Sequence, residues 1–129
     1  MSHFNKNVST LLLLAFFIIF TTFSMNAEAD EFVVHNNVTR TSKTKVTCAN
    51  SQVDFPPFVL AYDEKFAVEI ENANLNINCF FEWTGVSHKF QIYDVGRDQC
   101  VTCNWNLIAD GPCFQDELRH GEQCYPWDS

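Results

Sequence analysis

The sequence predicts an all-β fold, an antiparallel β-sandwich of about seven short strands that is disulfide-stabilised and not of the immunoglobulin type. Three observations carry this expectation. Beyond residue 30 apolar positions alternate with polar ones in short runs, and no window holds a helical stripe. Clusters of Asn, Asp, Gly and Pro punctuate those runs. Six cysteines sit behind an apolar N-terminal segment in a 129-residue chain of net charge -8, the pattern of a small oxidised secreted domain.

The first element lies before the sandwich. Leu11-Leu12-Leu13-Leu14-Ala15-Phe16-Phe17-Ile18-Ile19-Phe20 follows Lys6 and precedes Ala27-Glu28-Ala29, a small-x-small cleavage pattern. The run is shorter than the roughly 18 to 20 residues that cross a bilayer. Residues 1–29 are therefore expected to be a secretory signal peptide and residues 30–129 the folded domain. Its removal takes one Lys and one Glu, so the charge stays at -8 and all six cysteines remain.

Residues 31–35 and 44–48 read as the first two strands, with a turn favoured by Asn36-Asn37 between them. Residues 49–57 end in Pro56-Pro57, which suits a loop and excludes a central strand. Residues 59–62 and 66–70 flank Asp63-Glu64-Lys65 as a hairpin, with Phe66, Val68 and Ile70 on one face. The clearest strand is 75–83, whose Leu75, Ile77, Cys79, Phe81 and Trp83 share one face opposite Asn76, Asn78 and Glu82. Residues 88–93 and 100–107 repeat the pattern, the latter grouping Val101, Cys103, Trp105 and Leu107. An immunoglobulin domain would place a Trp soon after its first core Cys, whereas the first Trp after Cys48 is Trp83.

The second half of the chain resembles the plant self-incompatibility protein family, the S-protein homologues. The residues that carry the resemblance are Cys79-Phe80-Phe81-Glu82-Trp83, Phe90-Gln91-Ile92-Tyr93, the run from Cys103-Asn104-Trp105-Asn106-Leu107 through Asp110-Gly111-Pro112-Cys113, and the closing Cys124-Tyr125-Pro126-Trp127. In the first half, Thr47-Cys48-Ala49-Asn50-Ser51 stands where members carry a His-Cys pair. The resemblance implies a small secreted β-sandwich, S-protein-like over 30–129. It also implies kinship with stigma-secreted ligands that a pollen-surface protein recognises in the rejection of self pollen.

Cys100-x-x-Cys103, with Cys113, His120 and Cys124, matches no zinc template, and in a secreted chain structural disulfides are expected instead. Cys113 and Cys124 bracket the polar segment 114–123 and are expected to close that loop, leaving Cys48 and Cys79 to pair with Cys100 and Cys103 in either order. Asn37-Val38-Thr39 is an N-glycosylation acceptor, the one that remains once Asn7-Val8-Ser9 leaves with the signal peptide. Ser87-His88 lacks a nucleophile elbow, and adjacent strand residues face opposite ways, so no relay is expected. His35 and His120 show no partner in the sequence. Asp94, Asp98, Asp110 and Asp116 lack EF-hand spacing, and no metal, cofactor or catalytic residue is expected. Trp127, beside Pro126 near the C-terminus, is expected to pack over the sandwich edge.

The acidic balance argues against nucleic acid and anionic membrane surfaces as partners. The expected function is that of a secreted, monomeric, non-enzymatic ligand for a cell-surface receptor, without stable membrane insertion. The alternative is a secreted defence or antimicrobial effector, or a small hydrolase. Negative charge counts against membrane attack, and no triad or metal motif supports hydrolysis.

Overall fold

The computed structural model describes residues 28–116 and 121–129. The expectations for residues 1–27 and for His120 lie outside them. Among the described residues nine strands form two sheets. In the first, β1 (Glu31–Asn36), β4 (Lys65–Glu69), β7 (Thr102–Ile108), β8 (Gly111–Asp116) and β9 (Gly121–Cys124) run in the order β4-β1-β7-β8-β9. In the second, β2 (Thr44–Ala49), β3 (Phe58–Leu60), β5 (Ile77–Trp83) and β6 (Val86–Tyr93) run in the order β3-β2-β5-β6.

Alternation places one face of each sheet in the core. Phe32 and Val34 on β1, Val46 on β2, Ile77, Cys79 and Phe81 on β5, Ile92 on β6, and Cys103, Trp105 and Leu107 on β7 are all buried. Withdrawing such side chains from water contributes roughly 1.5–3 kcal/mol apiece before chain entropy is counted. The fold is the expected sandwich, with differences of detail. Residues 114–123 are not a loop throughout, because β8 and β9 form a further hairpin there. One pair, β1 with β7, is parallel. Val101 stands outside its strand and is 48% exposed.

The residues around Asp63 do not form a hairpin. β3 pairs with β2 and β4 pairs with β1, so the turn between them carries the chain from one sheet to the other. The wholly buried Asn36 anchors that crossing. Its Nδ2 donates to the carbonyls of Leu60 (2.9 Å) and Ala61 (3.2 Å), and its Oδ1 accepts from Val38 N and Thr44 Oγ1, both at 3.2 Å. All four hydrogen-bonding positions of the amide are thereby filled.

The disulfides join Cys48 to Cys79, Cys100 to Cys103, and Cys113 to Cys124. The expected cross-pairing of Cys48 and Cys79 with Cys100 and Cys103 is corrected by register. Cys48 on β2 lies directly opposite Cys79 on β5, whereas Cys103 belongs to the other sheet and closes a tight loop with Cys100. No bridge connects one sheet to the other.

At the β6 edge, the Arg97 guanidinium lies over the rings of Phe90, Trp105 and Tyr125 at 5.1, 5.1 and 5.3 Å. It donates to Asp98 through two nitrogens at 2.8 Å and to the Gln91 carbonyl at 2.7 Å. Burial acts to lower the Arg97 pKa, but its hydrogen bonds to Asp98 and the charges of Asp98 and Asp94 hold it above the usual guanidinium value.

The C-terminal tail covers the same edge. Asp128 N donates to Lys89 O at 2.8 Å, Lys89 N donates to Ser129 O at 3.3 Å, and Gln91 N donates to Asp128 Oδ2 at 2.8 Å. Edge strands present unpaired backbone groups that template association, and here part of β6 is paired within the chain.

Candidate functional site

Residues suited to catalysis are dispersed or committed elsewhere. Ser87 and His88 are neighbours on β6. The His88 ring packs against Trp83 and Trp127 with centroids at 5.4 and 5.1 Å, and its Nδ1 lies 3.0 Å from the Ser129 carbonyl. Trp127 also packs on Phe81 at 5.2 Å and donates from Nε1 to Ala109 O at 2.9 Å, so it seals the sandwich edge. Asp94 Oδ1 accepts from the amides of Gly96 and Arg97, while Asp98 accepts from Asp94 N and Arg97. These two acids serve a turn. Among the described residues, one trio has ligand atoms close enough for a metal, Cys113, Glu122 and Cys124, and its two sulfurs are bonded to each other.

His35 is not without a partner. Its Nε2 lies 2.6 Å from Asp63 Oδ1, and its Nδ1 is 3.3 Å from Asn37 Nδ2, which in turn donates to Asn106 Oδ1. Asp63 meets His35 across the inter-sheet turn and takes a left-handed φ of 70° to do so. These partners stand 28 and 69 positions apart in the chain, which is why local sequence pattern does not reveal them.

The line crosses the outer face of the five-stranded sheet. Strand register sets two rows there: Lys65-His35-Asn106-Cys113-Cys124, and Ala67-Val33-Asn104-Gln115-Glu122. Between them runs an open groove of ≈520 Å³, where the amides of Asn37, Asn104, Asn106 and Gln115 stand among Val33, His35 and Trp105, with Lys65 and Glu122 also in its lining.

The outer face of the four-stranded sheet has a different chemistry. Its register gives Val59-Lys45-Glu82-Ser87, then Thr47-Phe80-Lys89, then Ala49-Asn78-Gln91. Phe80 at the centre is 48% exposed, and Val59 is exposed as well. Two lysines therefore flank a solvent-facing ring in a strongly acidic chain. A second open groove, ≈620 Å³, borders the lower row at Asn74, Asn76, Asn78 and Gln91.

The sequence model of the plant self-incompatibility protein S1 family matches residues 31–127, from the first strand to the edge-sealing Trp127. The chain belongs to that family. S-protein homolog 3 of Arabidopsis thaliana is 30% identical, covering 91% of this chain and 85% of the relative. S-protein homolog 29 of the same plant is 25% identical over 98% of this chain and 99% of its own length. A solved self-incompatibility protein homologue matches with a TM-score of 0.59 at 17% identity, covering 81% of this chain and 99% of that one. That structure is described as one of a widespread family of small, highly stable, secreted plant proteins. The chain is accordingly a member of the S-protein homologues, and its three disulfides are of the kind that persists in an oxidising compartment. Among the described residues no helix is long and apolar enough to cross a membrane.

The structure gives a physical sense to the Asp110-Gly111-Pro112-Cys113 run. A Cβ on Gly111 would stand 1.9 Å from the Tyr125 carbonyl oxygen. Pro112 O accepts from Tyr125 N at 2.9 Å, and Cys113 binds Cys124. The motif holds the C-terminal tail.

Proposed function

We propose that this S-protein homologue is a secreted, non-enzymatic ligand that binds a cell-surface receptor protein, in pollen–pistil recognition or related cell–cell signalling. The observation that carries the reading is Phe80, a large aromatic side chain left in solvent at the centre of a sheet face and ringed by Lys45, Glu82 and Lys89. Aromatic anchors inside a polar, charged rim are the usual anatomy of a protein–protein contact. The two lysines suit an acidic border on the receptor. The dispersal of His35, His88 and the loop acids into packing and turn contacts agrees with a binding role rather than catalysis.

The same reading takes residues 1–29 as a signal peptide cleaved after Ala29. The new terminus at Asp30 keeps its nitrogen 2.8 Å from Val101 O, and mass spectrometry of secreted protein should find Asp30 first. Tagged, oxidised protein applied to intact cells of reproductive tissues should bind saturably, and protease treatment of the cell surface should remove the sites. Binding that never saturates, or that survives the protease, would count against a receptor protein.

A further inference from the structure

We infer that the outer face of the five-stranded sheet is the seat of this protein's own N-linked glycan, carried by Asn37. The inference goes beyond receptor binding and does not depend on it, since it needs only passage through the secretory pathway. Two independent features meet at one atom. Asn37-Val38-Thr39 is an acceptor tripeptide, and the acceptor nitrogen, Asn37 Nδ2, lies in the amide-lined groove between Asn106 Oδ1 and His35 Nδ1.

The chemistry places the sugar. In the transfer, the Nδ2–C1 bond forms as the C1–O bond to a lipid-linked diphosphate donor breaks; the diphosphate leaves with the electron pair and the amide nitrogen gives up one proton. Nδ2 then keeps a single hydrogen, enough for Asn106 or His35 but not for both. Both acceptors lie on the same sheet face, so the first sugar enters that face whichever contact it displaces. What it meets there is Asn104, Asn106 and Gln115, neutral amides that both donate to and accept from hydroxyl groups, with Lys65 and Glu122 beside them. A groove of ≈520 Å³ falls in the range of about 300 to 1,000 Å³ that encloses small ligands. The opposite sheet face, with Phe80, is left free of carbohydrate.

The test uses the full chain secreted from plant cells, with Thr39→Ala to remove the acceptor tripeptide and Thr39→Ser to keep it. Peptide N-glycosidase should lower the mass of the wild type and of Thr39→Ser but not of Thr39→Ala. Native wild type should be cleaved at least about tenfold more slowly than unfolded protein, as expected of a bond sheltered by native contacts. The pair Asn104→Ala and Gln115→Ala should largely abolish that difference. Nuclear Overhauser contacts should join protons of the first sugars to the side-chain amides of Asn104, Asn106 or Gln115. No mass loss overturns the site. A glycan cleaved equally fast in both states, or with sugar contacts confined to Asn37, overturns the seat. Failure of receptor binding alone leaves every one of these readouts unchanged.

Discussion

At the scale of the residue, Asn36 is the position on which most depends. Its buried amide ties the end of β1 to Leu60, Ala61, Val38 and Thr44, and so fixes where the chain passes between sheets. Asn36→Ala should destabilise the protein by about 2 to 4 kcal/mol, because it strands several buried polar groups at once. Urea unfolding should show this as a lower midpoint with an unchanged slope. Tyr93 provides a pH signature. Its hydroxyl donates to Ala73 O at 2.8 Å, and burial, then the charge of Asp98, push its pKa above the ordinary 10.0. A phenol whose pKa is raised on folding contributes stability that is complete below 10.0 and is lost as pH rises through the folded value. Stability should therefore fall on going from pH 10 upwards, and Tyr93→Phe should flatten that alkaline arm in a urea titration.

At the scale of the element, legibility in the sequence followed the strength of alternation. β5 could be read because Ile77, Cys79 and Phe81 are buried while Asn78, Phe80 and Glu82 are exposed, a strict period of two. β8 and β9 could not, since β9 is exposed along its whole length and is registered by the Cys113–Cys124 bridge and backbone pairing, not by an apolar face. The supposed hairpin at Asp63 misled because local alternation is the same whether a turn stays within a sheet or leaves it. What decides the matter is Asn36, distant in sequence. Of the proposed recognition surface, the pattern placed Asn78 and Glu82 opposite the buried face that holds Phe81, and Phe80 stands on their side. The pattern could not show Lys45 and Lys89 beside it, which come from register across three strands. The C-terminal tail was legible only as Trp127 packing over an edge. Its attachment rests on Gly111, where a side chain collides with backbone. Gly111→Ala should cost about 3 kcal/mol or more, in line with overpacking against main chain. Amide exchange should locate the loss, with protection falling first at Tyr125, Asp128 and Lys89.

At the scale of the whole molecule, every disulfide acts within one sheet or one loop, so cohesion between the sheets comes from the shared core. The bridges span 31, 3 and 11 positions for Cys48–Cys79, Cys100–Cys103 and Cys113–Cys124. Loop-closure entropy ranks their contributions accordingly, from about 4 kcal/mol for the longest to about 1.5 for the shortest. Replacing both partners of each bridge by Ala should lower the urea midpoint in that order, the Cys48–Cys79 pair losing most because both its sulfurs are also buried. The two outer faces differ in chemistry, with amides and Asn37 on one and an exposed aromatic between lysines on the other, and the two proposals assign them separate roles. The most direct measurement is a binding isotherm of oxidised wild type, Phe80→Ala and Gln115→Ala on the same intact cells. Phe80→Ala, an exposed change that leaves the fold intact, should weaken binding by at least about tenfold, equivalent to some 1.4 kcal/mol, with Gln115→Ala close to wild type. Equal binding by wild type and Phe80→Ala, or loss confined to Gln115→Ala, would contradict recognition through the four-stranded sheet.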